Sequence, residues 1–394
     1  MKVFHCNNCR QLVFFENVQC VKCGRLLAYV AEEDDILSLE PITEGTAKGL
    51  WKAMSAEGDE RRYRLCQNYS EHKTCNWAIP EDSPGELCES CRLTTVIPDL
   101  SVPGNLQKWF ALESAKRRLV YSLLRLNLPL AGEAAGGSQN TEGSHASMPI
   151  SCCPPPAGSL AFKFLADLPG PSGRVLTGHD CGVITVNLAE ADDAEREKRR
   201  LNMHEPYRTL VGHFRHEVGH YYWDRLIRDS NFIDSFRELF GNESADYGEA
   251  LQAHYKNGAP ADWQERYVSA YASSHPWEDW AETWAHYLHM TDALETAADS
   301  GLWLRPSRPD EPALKPVATK RGSRPQRFDT LIENWFPLTY VLNSLNRGMG
   351  LHDAYPFVLS SAVIEKLHFI HDCICAVTAA VPPRTFRAQE LVEA

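Results

Sequence analysis

No stretch of this chain reaches the roughly 18 consecutive apolar residues of a membrane span, so a helical crossing of the bilayer is not expected. Nor is there an excess of positive charge. The 40 Lys and Arg are outnumbered by 52 Asp and Glu, giving a formal charge of −12. Residues 1–100 follow the same balance, with eleven basic and sixteen acidic side chains. Phosphate backbones are held by Lys and Arg displacing counterions, and no basic patch exists to do this, so nucleic acid is not the expected partner. No signal peptide is expected either, because Met1-Lys2-Val3-Phe4-His5-Cys6 enters a cysteine motif too early to be one. The expectation is a cytoplasmic protein. Its 394 residues, 43% of them hydrophobic and 23% charged, suffice for two or three domains with a sizeable core.

Cysteine is abundant, with thirteen in the chain. Cys6-x-x-Cys9 and Cys20-x-x-Cys23 form two thiolate knuckles ten residues apart, and Gly24 follows the second where a tight turn needs it. Four thiolates at this spacing make a closed tetrahedral Zn²⁺ site, and a small segment draws most of its folding energy from such an ion. A disulfide is the rival reading, disfavoured by the expected compartment. A second cluster follows at Cys66, Cys75, Cys88 and Cys91, in which only Cys88-x-x-Cys91 is a standard knuckle. A second structural zinc is expected there, with His72 as an alternative ligand; free cysteines are the bland alternative.

The chemistry concentrates at Gly212-His213-Phe214-Arg215-His216-Glu217-Val218-Gly219-His220. On a helix, His216 and His220 lie one turn apart and can hold one Zn²⁺, with Glu217 beside it. An open zinc position lowers the pKa of bound water toward neutrality, and the adjacent carboxylate takes the proton as water attacks a carbonyl. Phe214, Val218, Tyr221 and Tyr222 are uncharged, as a helix beneath a cleft requires. Gly219 costs about 1 kcal/mol relative to Ala within a helix, which points to close packing. An H-E-x-x-H-x-x-G-x-x-H extension is excluded, because no His follows His220 until His254. The third ligand is therefore sought in Pro276-Trp277-Glu278-Asp279-Trp280-Ala281-Glu282. Pro276 suits a helix start, and Trp277, Trp280, Trp284 and Leu288 recur as a buried stripe. Glu278 and Glu282 share a face and repel each other unless a cation relieves them. Glu278 is read as the third ligand and Glu282 as acceptor for a ligand imidazole N–H; two solvated glutamates are the alternative.

These motifs resemble the gluzincin metallopeptidases, and the Glu278–Glu282 spacing resembles that of the anthrax lethal factor group. More closely, Leu176-Thr177-Gly178-His179, Asn187-Leu188-Ala189-Glu190, Gly212-His213-Phe214-Arg215-His216-Glu217, His220-Tyr221-Tyr222-Trp223 and Pro276-Trp277-Glu278-Asp279-Trp280 are similar to a bacterial family of zinc-binding metallopeptidases with an N-terminal zinc ribbon. The resemblance spans nearly the whole chain and includes the second cysteine cluster. It implies one catalytic and two structural zincs and a peptide or protein substrate. The lethal factor comparison further implies that a Tyr seven residues before the third ligand steadies the oxyanion, which is Tyr271, with Tyr267 and His275 as rivals. It also implies an edge strand that takes the substrate backbone by β-addition. Residues 182–189, in a β-branched stretch read as a strand pair, are the expected edge.

The expected fold is α+β: zinc-ribbon modules followed by a mostly helical zincin-like domain with a small sheet. The expected organisation is a double-ribbon region over 1–98, an amphipathic helix over 99–130, a Gly/Ser/Pro-rich insertion over 131–158, a catalytic core over 159–300, a loop over 301–327 and a helical part over 328–394 that closes one wall of the cleft. Lys116, Arg117 and Arg118 are read as a solvated basic face, residues 190–200 as a charged surface helix, His179 as an incidental loop residue, and Asp224 and Arg225 as braces for Glu278 or Glu282. The ribbons are expected to dock a protein partner or brace the peptidase. The alternative to an enzyme is a ribbon-bearing scaffold whose peptidase fold does not turn over.

Overall fold

The computed structural model describes residues 1–54, 60–130, 159–168, 173–196, 209–308, 310–311, 313–314 and 326–380; the expected insertion over 131–158 lies outside them. Strands β1 (Phe4–His5) and β2 (Leu12–Val13) form a two-stranded ribbon. The chain then closes a five-stranded barrel from β3 (Leu26–Val30), β4 (Asp35–Pro41), β5 (Trp51–Met54), β6 (Glu60–Leu65) and β7 (Trp77–Pro80). The short helix α1 (Gln67–Ser70) interrupts it between β6 and β7. Five short strands leave no unpaired edge when closed, and aromatic rings pack into the core. Phe4, Phe15, Tyr29, Trp77 and Tyr121 form one edge-packed cluster, with Tyr29 and Trp77 centroids 4.7 Å apart. Tyr121 comes from the long helix α2 (Asn105–Arg125), so ribbon, barrel and helix share one core.

Helix α2 overturns the expected basic face. Lys116 and Arg117 are buried; Lys116 pairs with Glu113 at 2.9 Å and meets Thr94, and Arg117 donates to the Thr74 carbonyl. Burial of charge is tolerated only with such partners. Arg118 stays half-exposed, paired with Glu16. A second sheet has the order β10-β11-β9-β8, from β8 (Thr94–Val96), β9 (Ala161–Leu165), β10 (Gly178–Asp180) and β11 (Val183–Asn187). The strand pair is present as the β10–β11 hairpin, turned through Cys181 and Gly182, both at positive φ. However, β11 pairs with β9 on its other side, so the expected edge at 182–189 is internal and the edge is β10. Of the expected charged helix at 190–200, Glu190 lies buried in a 3-10 turn (Leu188–Ala191), and residues 197–200 lie outside the described residues.

The catalytic half is built on α3 (Leu210–Leu226) packed against α7 (Pro276–Asp299). Gly219 makes the approach possible: a Cβ there would stand 2.9 Å from the Ala281 Cα, and Trp280 Nε1 donates to the Gly219 carbonyl at 2.9 Å. Three helices follow α3, namely α4 (Ile233–Phe240), α5 (Tyr247–Asn257) and α6 (Trp263–Arg266). After α7 come α8 (Phe328–Gly348) and α9 (Ser361–Ala380), both packed on it. Buried Lys366 of α9 meets buried Asp279 at 2.6 Å. The α+β expectation holds: a β and zinc-ribbon region precedes a largely helical half with a small sheet. Among the described residues no helix is long and apolar enough to cross a membrane.

Candidate active site and metal centres

Two four-cysteine clusters lie in the N-terminal half. In the first, Cys6 and Cys23 sulfurs are 3.7 Å apart and those of Cys9 and Cys20 are 3.5 Å apart. Each knuckle closes by a backbone bond, Arg10 N–H to the Cys6 carbonyl and Gly24 N–H to the Cys20 carbonyl, both 2.8 Å, with the donors at φ 59° and 72°. Gly24 adopts that left-handed conformation freely, and Arg10 pays for it. In the second cluster all four cysteines are buried. Backbone N–H groups of Trp77, Cys88 and Cys91 point at the sulfurs of Cys75, Cys66 and Cys88 at 3.3–3.4 Å. Burial, and then the neighbouring Cys66, Cys75 and Cys91, push the Cys88 thiol well above its ordinary pKa. Four packed thiols resist ionising together unless a cation joins them, which fits a structural zinc. His72 is not in the cluster; its ring packs edge-on against Trp109 at 5.5 Å.

The third cluster, His216, His220 and Glu278, joins α3 to α7, and its candidate ligand atoms lie within 4.8 Å of one another. Thr209 caps α3 by accepting the Gly212 N–H, and His275 caps α7 by accepting the Trp277 N–H, with Pro276 in the first turn. Glu278 Oε2 stands 3.0 Å from His216 Nε2 and 3.6 Å from His220 Nε2. That oxygen is buried without a hydrogen-bond partner among the described residues. A buried orphan carboxylate oxygen between two imidazole nitrogens suits a cation. Burial opposes ionisation of Glu278, but His220 and His216 outweigh it and hold its pKa well below the usual range.

An outer ring of partners fixes these groups. His216 Nδ1 meets Glu282 Oε1 at 2.7 Å, and Glu282 Oε2 accepts from Ser269 at 2.7 Å. Such a bond leaves Nε2 free for a metal. Glu217 Oε1 lies 3.1 Å from His213 Nε2, and His213 Nδ1 lies 3.6 Å from Glu190 Oε2. Burial alone would raise Glu217, yet His213 and the two ligand histidines keep its pKa below the ordinary carboxylate value. Glu278 Oε1 accepts from the Tyr247 hydroxyl at 2.6 Å.

Tyr271 opens a 3-10 turn (Tyr271–Ser274), with its ring 6.0 Å from that of His216. Burial, then the charge of Glu278, raises its pKa well above the ordinary phenol value, so it keeps its proton. Of the alternatives, the Tyr267 ring packs on Lys366, and His275 caps α7 three residues before Glu278. Asp224 does not brace the glutamates but pairs with Arg228 at 2.5 Å, and the Arg225 guanidinium lies over the Tyr221 ring. His179, read as incidental, lies beside the cluster. It sits on edge strand β10, stacked 6.4 Å from His220, and its Nε2 accepts the Gly182 N–H at 3.0 Å. Burial, then His220, lowers its pKa to about 3.

Sequence reading missed His213, Ser269 and Tyr247. His213 was within reach, because it stands one turn before Glu217 on the same face. Ser269 and Tyr247 carry no spacing relation to the motif and are brought in only by the tertiary fold.

A family model described as "Putative zinc-binding metallo-peptidase" matches residues 105–373, and a zinc-ribbon domain model matches residues 3–102. Uncharacterized proteins of Mycobacterium bovis and of two Mycobacterium tuberculosis strains are each 41% identical over 384 residues, covering 97% of this chain and 98% of theirs. No solved structure matches.

Proposed function

The chain belongs to this bacterial family of zinc-binding metallo-peptidases with an N-terminal zinc ribbon, and on that premise we propose that Glu217 is the general base of peptide hydrolysis at a zinc held by His216, His220 and Glu278. The observation that carries the reading is the orphan Glu278 Oε2 between two imidazole Nε2 atoms, with an ionised Glu217 one residue from His216. Zinc bound there supplies Lewis acidity, polarising the scissile carbonyl and bringing the pKa of water toward neutrality. Glu217 takes the proton from that water and delivers it to the departing amine. His213 holds one Glu217 oxygen and aims the other at the reaction. Glu282 fixes the His216 ring through Nδ1, and the protonated Tyr271 phenol donates to the developing oxyanion. The Glu278–Glu282 spacing and the position of Tyr271 support a gluzincin of the lethal factor type.

Substrate pairing belongs on β10. Asp180 and Val183 close a two-residue hairpin, so the backbone groups of His179 face away from β11 and are available to an extended peptide. Cytoplasmic residence and a protein partner at the ribbons complete the proposal, and the acidic balance disfavours nucleic acid. Elemental analysis and mass spectrometry of a peptide library test it together. Three zincs in the wild type, three in Glu217→Gln with cleavage lost, and two in His220→Ala are expected. Persistent cleavage by Glu217→Gln removes that residue from the mechanism. Two zincs in the wild type favour the scaffold reading.

A further inference from the structure

The segment from Gly241 to Tyr267 is built unlike its surroundings. It contains no buried residue, whereas His216, Glu217, His220 and Glu278 are each at most 9% exposed. Within it, α5 is capped by Asp246, which accepts the Glu249 N–H at 2.7 Å, and ends at Gly258 with φ 75°. An eleven-residue helix with no buried side chain draws little stability from packing. Its specific ties run to the site. The Tyr247 hydroxyl donates to Glu278 Oε1 at 2.6 Å. The Tyr247 ring packs edge-on against His275 at 5.2 Å and Trp277 at 5.8 Å, the residues that start α7 just before Glu278. Two turns further, His254 packs edge-on against the Tyr271 ring at 6.1 Å. One face of α5 therefore touches both the third-ligand carboxylate and the phenol placed at the oxyanion.

We propose that Tyr247 is a positioning residue of the catalytic metal site: its phenol O–H holds Glu278 Oε1, so that Oε2 alone is presented between His216 and His220, and the same bond ties α5 over the site. The inference rests on Glu278 being the third ligand. A carboxylate free to rotate can offer either oxygen or both. One held by a short hydrogen bond from a phenol whose ring packs against His275 and Trp277, just before Glu278, offers one. Partners of this outer kind are worth about 10–100-fold in metal affinity. The bond also predicts linkage, because zinc at Oε2 fixes the carboxylate to which α5 is tied.

The test is zinc affinity of the full chain by competition with a chromophoric chelator, for the wild type, Tyr247→Phe, Glu278→Gln and the double variant, with hydrogen exchange of α5 amides read in parallel. Tyr247→Phe keeps the ring and its packing. It is expected to weaken the third zinc about 10-fold or more, to leave the two cysteine-bound zincs in place, and to raise exchange in α5 while the third zinc is bound. Added to Glu278→Gln it should weaken binding less than about 3-fold further. Third-site affinity within about 2-fold of wild type in Tyr247→Phe, with Glu278→Gln strongly weakened, overturns the role of Tyr247 alone. Equal effects of Tyr247→Phe with and without Glu278, or parallel loss of all three zincs, also overturn it, since both mark a general folding contribution. Unchanged affinity in Glu278→Gln overturns the ligand assignment and the inference with it.

Discussion

The cysteine sites and the His–Glu site answer the same electrostatic problem in opposite ways. Each brings together buried or half-buried groups that a cation would satisfy together. The cysteine sites do so with ligands on short loops of one sequence region, closed by local turns at Arg10 and Gly24 and by backbone N–H groups aimed at sulfur. Four thiolates fill the coordination of zinc and leave no place for a substrate. The His–Glu site takes three ligands from two helices whose contact is settled by Gly219, Ala281 and Trp280. Three protein ligands would leave a zinc held there an open position for water. Around it stands a ring of side chains, Glu282, Ser269, His213 and Tyr247. In the first case the ion makes the structure; in the second the structure makes the ion reactive.

The comparison breaks most visibly at the cysteines. Cys66→Ser should cost the barrel its zinc and its fold, since structural zinc contributes apparent binding free energies of about 10 kcal/mol or more; circular dichroism beside zinc counting reads this. His220→Ala, by contrast, should lose one zinc and keep the cooperative unfolding transition. A native-like Cys66→Ser protein would erase the distinction. Next in size, Glu217→Gln should lower turnover by at least about 10²-fold with zinc retained.

Two smaller effects test whether the helix pair stands without metal. His286, buried on α7 with Nδ1 hydrogen-bonded to the Tyr355 hydroxyl at 2.6 Å, has its pKa lowered to about 4 by burial, against 6.5 unfolded. Between those values the unfolded chain binds the proton and the folded chain does not. This contribution is therefore intact above pH 6.5 and is lost as pH falls toward 4, amounting to about 3 kcal/mol at most. Denaturant titrations at several pH values should show His286→Gln with a flatter acid limb than wild type, and identical limbs would refute it. Gly219→Ala forces a Cβ against the Ala281 backbone and should cost about 1–3 kcal/mol, read as a lower melting temperature even in metal-free protein. An unchanged melting temperature would show that the helices can part at little cost.

Much of this was legible because the relevant relations are short-range. Four-residue spacing on a helix places His216 over His220 and Glu278 over Glu282, and two-residue gaps make the Cys6/Cys9 and Cys20/Cys23 knuckles. What escaped depends on partners distant in the chain. Lys116 looked solvated because Thr94 of β8 and the Phe162 and Phe164 rings of β9 beside it cannot be placed from α2 alone. The edge strand was misassigned because β11 is internalised by β9, which lies on the far side of an intervening hairpin strand in sequence. Tyr247 gave no signal at all, since its partner is 31 residues away.

Strand β8 has one further consequence. It follows directly on the last cysteine of the second cluster, yet it pairs in parallel with β9 in the sheet beside α3, while Arg125 of α2 bridges Asp34 of the barrel side to Glu295 of α7. Ribbon and peptidase are thus not interchangeable cassettes. A catalytic fragment starting at α2 would lack β8 and leave a raw β9 edge, and its Arg125 would lose Asp34, while a ribbon excised through β8 would carry away a strand of the peptidase sheet.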